Sequence, residues 1–135
     1  MKRKVCRIAN HIKDMSRSEA FRRAWAIVKG KTISRIHGTT YGRRQEALAR
    51  LTRYEKTAIK VKLVREYDNP YDINAIAVNV SVNGSRLYKI GYLPAEMAAF
   101  LAHVIDHGNA VNARLSALVG GCCGLNYGAR LCLMA

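Results

Sequence analysis

The apolar residues of this chain keep helical spacing first, strand spacing next, and helical spacing again near the end. Val5, Ile8, Ala9, Ile12 and Met15 recur every three or four positions, with Lys4, Arg7 and Lys13 on other faces, which predicts a helix. Asp14-Met15 interrupts it, and Ser16-Arg17-Ser18-Glu19 then fits a capping box opening a second helix. Phe21, Ala24, Trp25 and Val28 form the stripe of that helix. Lys29 suits its negative end and Gly30 its stop. Two such short helices are marginal alone, so a helical hairpin over residues 1–30 must pack its stripes on itself or on the rest of the chain.

From Lys31 the period changes. Thr32 to Ile36 is a short β-prone run, Gly38 to Gly42 a loop, and Arg43 to Leu51 a short helix with Ala47, Leu48 and Leu51 on one side. Ala58 to Glu66 reads as a strand in which Ile59, Val61 and Leu63 alternate with Lys60, Lys62 and Val64. A second strand, Ala75 to Val82, places Ile76, Val78, Val80 and Val82 on one face. Asn83-Gly84 follows, a pair that tolerates the positive φ of a type I′ hairpin turn, and the return strand runs from Arg86 to Leu93. There Tyr88, Ile90 and Tyr92 are expected to share a face, Ile90 in the core and Tyr92 within reach of a site at the strand's end. Pro94 to His107 reads as a helix with the stripe Met97, Phe100, Leu101, Val104 and Ile105, and Gly108 just past its end. Ala110 to Val119 and Arg130 to Met134 are the last two strands, separated by Gly120-Gly121. The expectation is an α+β protein, mostly β. It is a six-stranded antiparallel barrel over residues 31–135 with two inserted helices, preceded by the hairpin.

Composition adds a charge asymmetry to this plan. Across 135 residues the formal net charge is +14, a sign and size that concentrate polyanions such as nucleic acid or acidic lipid surfaces. Residues 1–60 carry 17 Lys or Arg against 4 Asp or Glu, whereas residues 61–135 carry 6 against 5. A solvated face that keeps a small protein soluble is the plainer reading; so lopsided a division favours nucleic-acid contact. No uncharged run, the apolar stretch Met97 to Ile105 included, is long enough to span a bilayer, so no membrane role is expected. Lys2, Arg3 and Lys4 lead into no continuous apolar stretch of the kind a signal peptide needs. Cys6, Cys122, Cys123 and Cys132 show neither a disulfide framework nor a C-x-x-C spacing, which suits the reducing cytoplasm.

The densest candidate chemistry lies between the two central strands, in Asp68-Asn69-Pro70-Tyr71-Asp72-Ile73-Asn74-Ala75-Ile76. Proline fixes its own φ near −65° and keeps Asn69 out of the helical region, so Tyr71 and Asp72 begin with little backbone freedom. Tyr71 could then stack on a base while Asn69 and Asp72 hydrogen-bond a terminal ribose hydroxyl. A carboxylate repels phosphate but accepts strongly from a hydroxyl, which favours an end carrying OH. The same residues equally suit a tight turn whose Asn and Asp cap their own backbone. Tyr41, just before Arg43 and Arg44, offers one stacking surface and two phosphate partners, the recurring parts of single-strand binding. Solvent-facing arginines at a helix start are also ordinary, although Arg43 sits unfavourably against the helix dipole. Metal and catalytic readings have less support. His103 and His107 with Asp106 lack a zincin pattern, and the spacing of Cys122, Cys123 and Cys132 is not diagnostic of zinc. No P-loop, Gly-x-Ser-x-Gly or His-Glu-x-x-His is present, so neither an enzyme nor a cofactor is expected.

These pieces fall in a recognisable order. Gly38 to Tyr41, Gly42-Arg43-Arg44-Gln45-Glu46, Leu63-Val64-Arg65-Glu66, Asp68 to Val78, Ile90-Gly91-Tyr92-Leu93-Pro94 and Ile105-Asp106-His107-Gly108 together resemble a HIRAN domain. That module stands at the N-terminus of fork-remodelling helicase-like ATPases and also occurs in short bacterial and phage-type proteins. The likeness runs from about Ile33 to Met134 and leaves the hairpin outside it. It implies an OB-like barrel that captures the 3′-OH end of single-stranded DNA. Tyr41 and Tyr71 would sandwich the terminal base, Asn69 and Asp72 would read the hydroxyl, and Gly91-Tyr92 would mark the strand end presenting phosphate contacts. The chain departs from DNA-binding members at Tyr92, where they can carry histidine, at Ala95, where Lys or Arg is common, and at Thr40, where arginine can stand. Arg43, Arg44 and the basic hairpin are then the candidates to meet phosphate.

The leading expectation is a non-catalytic binder of single-stranded DNA or DNA 3′ ends, with a helicase or other protein as a partner in trans. A generic nucleic-acid binder acting through the hairpin, or a protein-interaction module, is the alternative.

Overall fold

The computed structural model describes residues 2–10 and 16–135; Ile12, Lys13 and the Asp14-Met15 interruption lie outside the described residues. Helices α1 (Lys2–Asn10) and α2 (Arg17–Val28) pack on each other as the hairpin. Ser16 caps α2, its Oγ accepting from the Glu19 amide at 3.3 Å, while the Glu19 carboxylate turns instead to Arg23. Gly30, at φ 69°, ends the helix in a Schellman turn in which the Gly30 and Lys31 amides donate to Ile27 and Ala26. The fully buried line of α2 is Ala20, Ala24 and Ile27, with Phe21, Trp25 and Val28 at its margin. Small alanines let α1 approach closely, and Trp25 is left half-buried beneath the Lys29 ammonium.

Six strands follow: β1 (Thr32–Arg35), β2 (Ile59–Arg65), β3 (Ile76–Val82), β4 (Tyr88–Tyr92), β5 (Asn112–Val119) and β6 (Gly128–Met134). They form one antiparallel sheet in the order β1-β6-β5-β2-β3-β4, curled into an OB-like half-barrel. Helices α3 (Arg44–Leu51) and α4 (Ala95–Asp106) are the two insertions, α3 lying against β4. Val5, Ile8, Ala24 and Ile27 of the hairpin share one apolar cluster with Ile76, Ile90, Leu101 and Leu131. Each fully buried Val, Ile or Leu among these contributes about 1.5–3 kcal/mol, so the hairpin is built onto the barrel core.

The curl brings the two edge strands together beyond the end of β1. Ile36 donates to Ala129 of β6, and one residue later His37 and Tyr92 exchange backbone hydrogen bonds of 2.8 and 2.9 Å. The crossing requires Gly91: a Cβ there would stand 2.4 Å from Ile36 Cγ2 and 2.5 Å from the His37 carbonyl oxygen. This contact sets the Gly38–Gly42 loop, which follows β1, beside the end of β4.

Two local outcomes differ from the sequence pattern. The Asn83-Gly84 turn forms with φ of 51° and 76°, but pairing between β3 and β4 resumes only at Tyr88. The alternation expected for Tyr88, Ile90 and Tyr92 is broken, because the register shifts between Lys89 and Gly91 and leaves Ile90 as the extra residue. Tyr88 is therefore exposed and Ile90 buried, while Lys89 comes beside Tyr92.

Candidate nucleic-acid interface

Where the edges of the sheet meet, a cleft of about 820 Å³ opens between the loop after β1 and the turn joining β2 to β3. Tyr41, Arg44, Asn69, Tyr71, Asp72 and Tyr92 all line it. Arg43 does not; it lies in a separate groove on the other side of α3. Consecutive residues at a helix start diverge by about 100° around the axis, so one arginine turns inward and the next away. Tyr41 and Tyr71 are 70% and 96% exposed, an unusual state for two large rings facing one cleft.

The turn that carries Tyr71 is tied down from within and from outside. Asn69 Oδ1 accepts from the amides of Tyr71 and Asp72 at 2.9 and 3.1 Å, and Asp72 Oδ1 accepts from the Asn74 amide at 2.9 Å. Both residues thus cap their own backbone. Asp72 still keeps a second carboxylate oxygen for a ligand, whereas the Asn69 oxygen is fully used. Outside the turn, Arg65 Nη1 donates to the carbonyls of Ile73 and Ala75, each at 3.1 Å. The same guanidinium grips Asp106 at the end of α4 through two hydrogen bonds of 3.0 Å, and Tyr67 donates a third to that carboxylate at 2.9 Å. The Arg65 hydrogen bonds hold the Asp106 carboxyl below its ordinary value despite partial burial.

Beneath the turn sits a polar group that sequence reading passed over. Glu66 accepts from the Lys89 ammonium, from Tyr92 Oη at 2.9 Å and from Asn69 Nδ2 at 3.1 Å, and Lys89 also donates to Tyr92 Oη at 3.1 Å. Burial pushes the Glu66 carboxyl up, but the hydrogen bonds from Lys89, Asn69 and Tyr92 outweigh it and the group stays below its ordinary value. Its bond to Glu66, followed by that to Tyr92, raises the Lys89 ammonium above the usual lysine value. Only the β4 bulge brings Lys89 to this spot, so no regular alternation could have found it.

The opposite wall is held by α3. Arg44 Nη1 donates to the Gly38 carbonyl at 2.7 Å, and its guanidinium carbon lies 5.9 and 5.5 Å from the ring centres of Tyr41 and Tyr92. Among the described residues no carboxylate pairs with it, so its remaining N–H groups are available. Gln45, also missed, staples the loop: it donates to the carbonyls of Thr39 and Tyr127 at 3.0 and 2.9 Å and accepts from the Tyr127 amide at 2.7 Å. The cleft lining as a whole holds Arg44, the neutralised Glu66, and the carboxylates of Asp68 and Asp72. Among the described residues it combines two exposed tyrosine rings, an arginine without a carboxylate partner and a locally acidic rim.

No helix among the described residues is long and apolar enough to cross a membrane, and no three His, Cys, Asp or Glu side chains among them could hold a metal ion. Cys122 and Cys123 are exposed, Cys132 is buried, and His107 caps α4 with Nδ1 2.7 Å from the His103 carbonyl oxygen.

Comparison with known proteins bears on the same region. Residues 29–117 match the HIRAN domain family. Over 47 residues the chain is 53% identical to a helicase-like transcription factor of Oryctolagus cuniculus, a match covering 35% of this chain and 4% of that much longer protein. A crystal structure of a protein from Lactobacillus plantarum is similar over 76% of this chain and 92% of its own, with a TM-score of 0.51 and 23% identity. That likeness concerns the fold alone.

Proposed function

Because its match to the family spans more than half of its length, this chain belongs to the HIRAN domain family, and we propose on that premise that it is a non-catalytic module holding the 3′-hydroxyl end of single-stranded DNA. Membership supports nucleic-acid binding. The observation that carries the finer reading is the placement of two exposed tyrosines, Tyr41 and Tyr71, on one cleft with the Asp72 carboxylate at its rim. The terminal base stacks between the rings, and the ribose hydroxyl donates to the Asp72 oxygen that the turn leaves free. Asn69 serves by holding the turn, and its second Nδ2 hydrogen remains for the sugar. Arg44 meets the first phosphate.

The rim gives this arrangement its selectivity. A terminal phosphate would lie against Asp72, with Asp68 close by, and two unit charges 4 Å apart repel by about 1 kcal/mol in water and about 4 kcal/mol near a protein surface. Lys89 offers no relief, since Glu66 already neutralises it. Oligonucleotides ending in 3′-OH should therefore bind at least about fivefold more tightly than those ending in 3′-phosphate, and D72N should narrow that gap. Tyr71→Ala should weaken 3′-OH binding by about 1–3 kcal/mol, the worth of one stacked base, without changing stability. Fluorescence anisotropy with end-labelled strands measures both. Equal affinity for the two ends, or an unaltered Tyr71→Ala variant, overturns end recognition.

A further inference from the structure

The groove that takes Arg43 has no part in the cleft, yet it carries the same kind of chemistry. It runs between α3 and the β3–β4 hairpin, holds about 330 Å³, and is lined by Arg43, Arg50, Arg86, Tyr54 and Tyr88, with Glu46 as its acidic residue. Tyr54 and Tyr88 are 47% and 43% exposed. None of the three arginines is paired with a carboxylate among the described residues. Exposed rings interleaved with unpaired arginines are what single-strand binding requires, because every base has a face to stack and every linkage a charge to meet.

The groove lies across the start of α3 from the cleft. Arg43 adjoins Arg44 at the start of α3, and Tyr88 lies on the same strand as Tyr92, about 13 Å away at the usual rise per residue. The other way out is less suited. The groove between α2 and α4, which shares His37 with the cleft, offers Arg35 but also Arg23, already paired with Glu19, and a carboxylate, Glu96, and its phenyl ring, Phe100, is buried.

We propose that the α3–β4 groove binds the single-stranded DNA that precedes the captured end, so that the strand runs from the cleft past Arg43 and over Tyr88 toward Arg50 and Arg86. This rests on the end-binding reading of the cleft. OB folds engage roughly 4–16 nucleotides, a span that the cleft alone would leave unfilled.

The test compares 3′-OH oligothymidines of about 3 and about 10 nucleotides, the longer one within the OB-fold span, binding to the full chain by anisotropy. The longer strand should bind roughly tenfold or more tightly. Arg50→Ala with Tyr88→Ala, both exposed positions, should abolish that gain while leaving the trinucleotide unaffected. The salt dependence of the longer strand should also fall by about 0.7 per arginine removed. Equal affinity of the wild type for both lengths, or equal weakening of both by the double variant, overturns the groove while the cleft reading stands. Binding of neither strand overturns both.

Discussion

Tyr71 and Tyr41 reach one cleft from loops of opposite construction. Residues 66–75 are acidic and tied at almost every turn, by Asn69 and Asp72 from within and by Arg65 from the sheet. Residues 38–42 are bounded by Gly38 and Gly42, both with left-handed φ, lie beside arginines, and are held mainly by Gln45 and Arg44. A stiff acidic wall can select by chemistry, since a misplaced phosphate has no way to move the carboxylate aside. A pliable basic wall can follow the ring and phosphate of whatever the first wall admits. On the proposed function, the division would place selectivity in one loop and adaptable affinity in the other.

Unfastening the stiff wall should have the largest effect. Arg65 is 6% exposed at its side chain, and Arg65→Ala leaves Asp106 with the Tyr67 hydroxyl but without its cation, and takes one hydrogen bond each from the carbonyls of Ile73 and Ala75. Loss of a partly exposed, hydrogen-bonded pair of this kind costs about 1.5–3 kcal/mol, readable as a fall in urea midpoint at unchanged slope. Selectivity for 3′-OH should fall with it; a variant that loses stability but keeps full end selectivity would break the comparison. Gln45→Ala loosens the other wall by removing three hydrogen bonds, for about 1–2 kcal/mol of stability. It should reduce affinity for both kinds of end alike, leaving their ratio intact.

Acid provides the mildest probe. Asp106 and Glu66 both have folded values below their ordinary ones, so their stabilisation is complete above about pH 4.5 and is lost as pH falls through the lowered values. The melting temperature should hold level from neutral pH to about 5 and decline below about 4. D106N should be less stable at pH 7 and show a shallower acid decline.

Much of this molecule is legible locally. Helix stops at Gly30 and Gly108, the six strands and the turn at Asn83-Gly84 follow from spacing and from residues that tolerate positive φ. The exposed Tyr71 was legible too, since Pro70 and the Asn and Asp around it constrain their own backbone. Glu66, Lys89 and Gln45 were not, because each acquires its role from a partner distant in the chain. Nothing near Gln45 in sequence announces the backbone of Tyr127, and Lys89 reaches Glu66 only because Ile90 bulges. The separation of Arg43 from Arg44 was missed for a related reason: adjacent arginines look equivalent until a strand on one side of the helix makes them differ.

By itself the amino-acid order determined the elements, their polarity and a rigid aromatic turn, all of which depend on interactions within a few residues. The closing of the sheet at His37 and Tyr92 was a tertiary decision, made by a crossing that only Gly91 permits. That contact sets two loops from different parts of the chain on either side of one cleft, because a curled sheet brings its edges together whatever their distance in sequence.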